Sequence, residues 1–185
     1  MVVAGRSALP VADESLLVRL GTRERLPRWC GVTTVVEEDG GGRHVLRARR
    51  FPSTGPAVDG WLSQDLVADE PYFLAPTLQS LLLDAAADGD VTALGGLLRR
   101  WRDWLAARAG EPASADGPHP FLRADGSGVL PAEYFDAMFD NFLVDTAVDG
   151  PDALTYIDRE WRPEGGANLR AVVVRALWWF SVRVV

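Results

Sequence analysis

Asp136, Asn141 and Asp158 are the side chains in this sequence best suited to acid, base or metal chemistry, because they punctuate two otherwise apolar, strand-like runs. The runs are Phe142-Leu143-Val144 and Leu154 to Ile157, and Asp149-Gly150 lies between them. That pattern reads as a β-hairpin. A hairpin brings its two ends together, so Asn141 at the entrance and Asp158 at the exit become neighbours, with Asp136 just upstream. A carboxylate in such a place can take a proton from a hydroxyl, and carboxylate and amide oxygens are hard ligands for magnesium or calcium. Asp and Asn also cap turns between apolar strands, and that reading stays open beside the chemical one.

Other chemistries are excluded by residue type. All 19 basic residues are arginine, so a Walker-A phosphate loop, a pyridoxal Schiff base and a Ser/Lys dyad have no amine to use. His44, His119 and Cys30 are the whole of the histidine and cysteine complement, which leaves metal chemistry mostly to carboxylates and disfavours zinc. No Gly-x-Ser-x-Gly elbow is present. The formal charge of −7 opposes general nucleic-acid or anionic-membrane binding, since both need a cationic surface. The most apolar stretch, Ala176 to Val182 between Arg175 and Arg183, falls far short of the roughly 20 residues that span a bilayer. Met1 to Glu14 lacks the apolar run of a signal peptide. A cytoplasmic protein with no membrane span is the expectation.

The elements that must position these residues are read from periodicity. Val32 to Glu38 and His44 to Arg50 form strands joined by the Asp39-Gly40-Gly41-Gly42 turn. The second arm carries Arg47 and Arg49 on one face, with Val45. Phe51 to Gly60 reads as a loop or linker. From Thr77 the spacing becomes helical through Leu78, Leu81 and Leu82 to about Gly89, and Asp90 caps a second helix carrying Leu94, Leu97, Leu98, Trp101 and Leu105. Gly110 to Gly128 reads as a loop. Asn168 is the cap expected for a final helix with Leu169, Val172, Val173, Ala176, Leu177 and Phe180 on its buried face. Trp101, Trp104, Trp178 and Trp179 read as core, and His119 as a loop residue without an evident partner. The fold class expected is α+β, with a β-rich lobe and linker at residues 1–60 and a C-terminal lobe at 61–185.

An Asp, four residues, an Asn, a hairpin and a second Asp is the spacing of the protein-kinase and aminoglycoside-phosphotransferase type. Glu70-Pro71-Tyr72-Phe73 with Thr77-Leu78, Leu97 to Leu105, Asp136 to Val144, Tyr156 to Trp161 and Arg175-Ala176-Leu177 resemble the kinase-like domain of bacterial O-antigen and polysaccharide methyltransferase-kinases. The resemblance covers roughly residues 30 to 180. It implies an abbreviated bilobal protein-kinase-like fold, ATP and Mg2+ as ligands, and a hydroxyl of a sugar, glycan or small molecule as acceptor. By position it makes Asp136 the catalytic base and Asn141 and Asp158 the metal ligands. A methyltransferase or glycosyltransferase partner is implied as well.

This sequence departs from that pattern at named places. Tyr134 stands where the family has a histidine, no Gly-x-Gly-x-x-Gly loop precedes the third strand, and the phosphate-pairing lysine is missing. Arg47 and Arg49 are the candidates to contact nucleotide phosphates in its place, though a planar guanidinium is a wider group than an ammonium. Two functional readings follow: an ATP-dependent phosphotransferase, or a degenerate kinase fold that binds or scaffolds a partner enzyme. A third, a carboxylate-metal hydrolase, needs more ligands than the sequence offers.

Overall fold

The computed structural model describes residues 29, 58–65 and 75–182 with their side chains, except for the side chains of 58 and 151, and residues 15–19, 31–38, 43–50 and 69–71 as backbone strands. In chain order these form β1 (Ser15–Arg19), β2 (Gly31–Glu38), β3 (Arg43–Arg50), β4 (Val58–Asp59), β5 (Leu62–Gln64) and β6 (Asp69–Pro71). There follow α1 (Leu78–Ala87), α2 (Val91–Ala106), β7 (Val129–Leu130), β8 (Phe142–Val144), β9 (Leu154–Tyr156), β10 (Trp161–Pro163), β11 (Ala167–Asn168) and α3 (Leu169–Ser181). The mixture of helices and small antiparallel sheets is α+β. No helix among the described residues is long and apolar enough to cross a membrane.

The chain divides into two compact units, one of Met1–Ala57 with Leu66–Phe73 and one of Val58–Asp65 with Leu74–Val185. The first holds a four-stranded sheet in the order β1-β2-β3-β6. Its β2–β3 ladder runs antiparallel from Glu38 opposite Arg43 to Gly31 opposite Arg50. The valines and threonines of β2 favour this extended ladder through their branched side chains. The connecting residues 39–42, like Cys30, lie outside the described residues.

In the second unit both predicted helix starts are capped from the side chain. The Ser80 N–H donates to Thr77 Oγ1 (3.1 Å), and the Ala93 N–H to Asp90 Oδ1 (2.8 Å). Each bond satisfies one of the donors that a helix leaves without an internal partner. The core gathers Leu78 and Leu82 of α1, Trp101, Trp104 and Leu105 of α2, and Val172 and Ala176 of α3 around the segment Phe135 to Val144. Trp104 presents its ring to Tyr134, Phe142 and Tyr156, with centroids 5.5, 5.0 and 6.0 Å away, all near edge-on. These contacts bind α2 to the β8–β9 hairpin, whose register pairs Phe142 with Tyr156, Leu143 with Thr155 and Val144 with Leu154. The hairpin turn uses Gly150 at φ +83°, a conformation that side chains disfavour.

Several expectations need correction. Val58–Asp59 of the expected linker forms β4 and pairs with β5, while 51–57 lie outside the described residues. Leu177 and Trp178, expected in the core, are 41% and 59% exposed; helical spacing gives the direction of a buried face and not its width. Asn168 precedes α3 but does not cap it. Its buried amide instead bridges the 111–128 loop, donating to the Arg123 carbonyl (2.9 Å) and to Asp125 Oδ1 (3.2 Å). His119 is buried, stacked on Trp61 with centroids 4.6 Å apart, and its Nε2 lies 2.9 Å from the Glu164 carbonyl.

Removing the central ring should be costly. Trp104→Ala is expected to lower stability by about 3–5 kcal/mol in urea denaturation; a loss below about 1 kcal/mol would show that the ring does not organise this core. In the loop, hydrogen bonds from the Ser127 hydroxyl and amide hold the Asp125 carboxyl below its ordinary value of 3.8. Its contribution to stability is therefore present above that value and lost as pH falls through the lower, folded-state value. The Ser127 amide resonance should titrate with a midpoint below 3.8 and stop doing so in Asp125→Asn, whereas a midpoint at or above 3.8 contradicts the assignment.

Candidate functional site

Asp136 sits on backbone without a ladder of its own, between two single turns of 3-10 helix at Ala132–Tyr134 and Phe139–Asn141. Phe135, Ala137, Met138 and Phe139 bury around it, so the apolar residues anchor the segment and leave Asp136 to the polar side. Two side chains then hold its carboxylate. Asn141 Nδ2 donates to the Asp136 carbonyl (2.8 Å) and to Asp136 Oδ2 (3.1 Å). Arg175 of α3 donates from Nη2 to Asp136 Oδ1 (2.7 Å) and from Nη1 to the Phe135 carbonyl (2.9 Å). The Arg175 guanidinium carbon also lies 4.7 Å from the centroid of the Phe135 ring.

The hairpin brings Asp158 to the same end. The Ile157 N–H donates to the Asn141 carbonyl (2.9 Å), one step beyond the β8–β9 ladder, and Asp158 follows at φ +55°. It is the one non-glycine residue with positive φ among the described residues. Such backbone is disfavoured by about 1 kcal/mol or more outside glycine and is best tolerated by Asp and Asn. Strained backbone of this kind concentrates at functional sites. The chain then turns through Glu160, whose N–H donates to the Asp158 carbonyl (2.9 Å). Buried Glu160 accepts a hydrogen bond from Gln64 Nε2 of β5 (2.9 Å).

Burial pushes the Asp136 carboxyl above the ordinary carboxylate range; the Arg175 guanidinium opposes this, and Asp140 and Glu160 add to it. The Tyr156 phenol is likewise raised, first by burial and then by the Asp136 and Asp158 carboxylates. Its hydroxyl donates to the Glu133 carbonyl (2.9 Å), tying the hairpin back to the segment before Asp136.

Asp136 and Asn141 are thus in direct contact in the second unit, and Asp158 follows the residue whose N–H meets the Asn141 carbonyl. Arg47 and Arg49 lie on β3 of the first unit, opposite Thr34 and Val32 in β2, and Arg47 is also opposite Asp69 in β6. Their side chains lie outside what is described. Sequence reading missed Arg175 as a partner of Asp136 and missed the Gln64–Glu160 pair. Arg175 did carry a signal: a lone charged residue in the run Ala171 to Phe180, three positions from buried Val172, implies an acid waiting for it. Gln64 had none, because its partner is 96 residues away.

No cluster of three or more His, Cys, Asp or Glu able to hold a metal ion occurs among the described residues. The oxygen donors at the hairpin end are an amide and a carboxylate. Because Asn141 Nδ2 faces Asp136, the oxygen of the same amide is directed away from that carboxylate. One amide oxygen and one carboxylate suit magnesium, which keeps several waters and takes few protein ligands.

The Asn141–Asp136 contact makes a pH-dependent prediction. Asn141→Asp places a second carboxylate against Asp136, so one of the pair must hold its proton to a higher pH when folded than when unfolded. Stability of this variant should therefore fall as pH rises, by about 1–3 kcal/mol between pH 5 and 7 relative to the parent. Urea denaturation at the two pH values reads this directly, and an unchanged difference would mean the two groups do not face each other.

Comparison with family models, with curated proteins and with solved structures finds no match to this chain.

Proposed function

We propose that this chain is a kinase-like phosphotransferase domain that moves the γ-phosphoryl group of ATP to a hydroxyl of a sugar, glycan or other small molecule. The observation that carries the reading is the Asn141–Asp136 bond at the open end of the hairpin, where the Ile157 N–H meets the Asn141 carbonyl and Asp158 follows. The residue spacing described above and the strained Asp158 backbone support it. An abbreviated bilobal arrangement is part of the proposal, supported by an antiparallel-sheet unit and a second, more helical unit.

In this mechanism the acceptor hydroxyl binds at the Asp136 carboxylate, which orients it and takes its proton. The bond between the γ-phosphorus and the bridging oxygen breaks as the bond to the acceptor oxygen forms, and ADP leaves with the bridging electrons. Asn141 and Asp158 would hold Mg2+, which neutralises phosphate charge when bound. Arg47 and Arg49 are assigned to the phosphates on residue type alone. Catalysis then rests on position and charge, with no covalent intermediate on the protein. The partner is read as a methyltransferase or glycosyltransferase of polysaccharide assembly, and the compartment as the cytoplasm.

A second reading is favoured by a specific observation. Both Asp136 oxygens already have partners, Arg175 on one and Asn141 on the other, and the chain contains no lysine. Such a site also suits a degenerate kinase fold that serves as a binding or scaffolding module. Isothermal titration with ATP, with and without Mg2+, separates the two. Magnesium-dependent binding weakened at least about tenfold in Asp158→Ala is the result expected of the transferase. No binding at millimolar nucleotide by the folded protein would remove the catalytic reading and leave the scaffold.

A further inference from the structure

Arg175 is placed by geometry to do more than neutralise an acid. Its two terminal nitrogens bond two different acceptors of consecutive residues, the Phe135 carbonyl and Asp136 Oδ1, while its carbon rests near the Phe135 ring. The three contacts fix the peptide before Asp136, the carboxylate itself and the ring that buries beside it. This is needed because the segment from Ala132 to Asn141 is built of single turns with no strand or long helix to stiffen it. The clamp comes from α3, which is anchored in the core through Val172 and Ala176. Asn141 holds the other oxygen, and its carbonyl accepts the Ile157 N–H one step beyond the β8–β9 ladder. The carboxylate is therefore held from α3 at one oxygen and from the entrance of the hairpin at the other, and each oxygen keeps a lone pair for a further donor.

We propose that Arg175 is a positioning residue for phosphoryl transfer: it sets the orientation of the Asp136 carboxylate toward the acceptor hydroxyl. The inference rests on the phosphotransfer reading above. It assigns Arg175 an effect on the chemical step and none on nucleotide binding, since its bonds go to Phe135 and Asp136 and not to the proposed cation ligands. A planar two-nitrogen fork can bridge a carboxylate and a carbonyl at once, which an ammonium group cannot.

The test is a double-mutant cycle on the full chain, with MgATP as probe and water as acceptor, following ADP and phosphate release. Arg175→Gln is expected to lower kcat about tenfold to a hundredfold, as for a misplaced catalytic group. KM for ATP and the titrated affinity and stoichiometry for MgATP should stay within about threefold. Arg175→Lys should lose less. Arg175→Gln combined with Asp136→Asn should be no slower than Asp136→Asn alone, within about twofold, because Arg175 acts through that carboxylate. A residue that only supports folding would instead reduce binding stoichiometry together with rate, and its effect would multiply with that of Asp136→Asn. Either result, or an unchanged rate in Arg175→Gln, overturns the inference while the phosphotransfer reading stands. A wild-type protein that neither binds nor turns over MgATP overturns both. Where Arg175→Gln fails to fold, the same cycle with Arg175→Lys decides.

Discussion

A carboxylate on irregular backbone, partly withdrawn from water, needs a partner for each oxygen, and the second unit supplies Asp136 with both. Arg175 reaches it from α3 at 2.7 Å and Asn141 from the mouth of the hairpin at 3.1 Å. Both partners carry obligations of their own. Arg175 depends on the burial of α3 through Val172 and Ala176, and Asn141 on the ladder that Ile157 extends. A buried or half-buried charge left alone is strongly unfavourable, so helix, hairpin and acid specify one another's positions.

The aromatic core transmits that constraint outward. Trp104 of α2 meets Tyr134, Phe142 and Tyr156, which belong to the segment before Asp136 and to both arms of the hairpin. Trp101 adds an edge contact with Phe139, centroids 4.7 Å apart. Edge-to-face pairs have a preferred geometry as well as buried area, so they limit how far the hairpin can slide against the helix. The strained backbone of Asp158 is tolerable in this setting because the turn is held on both sides, by the Ile157 bond to Asn141 and by the Glu160 bonds to Asp158 and Gln64.

What was legible in the sequence was local. The helix start after Thr77 and the Asp90 cap depend on bonds over three residues, and the two hairpin strands on their own apolar runs, so propensity and spacing were enough to find them. The pairing of the two hairpin strands was legible as well, and the Ile157 bond to the Asn141 carbonyl extends it by one step. What was not legible depends on distant partners. Arg175 is 39 residues from Asp136, Asn168 is 45 from Arg123, and His119 meets Trp61 across the chain. Asn168 shows why a local rule fails: as a surface residue it would cap α3, but once buried its amide is drawn to the loop backbone that must also be satisfied. Leu177 and Trp178 fail differently, because the apolar stripe of α3 is wider than the face the core covers.

In the proposed phosphotransferase a divalent cation and a nucleotide meet at the open end of the β8–β9 hairpin. The most direct test replaces Mg2+ with paramagnetic Mn2+ in the presence of ATP and maps the broadening of amide resonances in the labelled protein. Selective loss of the Asn141 side-chain amide and of the Ile157 and Asp158 backbone amides is expected, with the Ala93 amide at the α2 cap less affected. Broadening centred elsewhere, or none at saturating nucleotide, would contradict it.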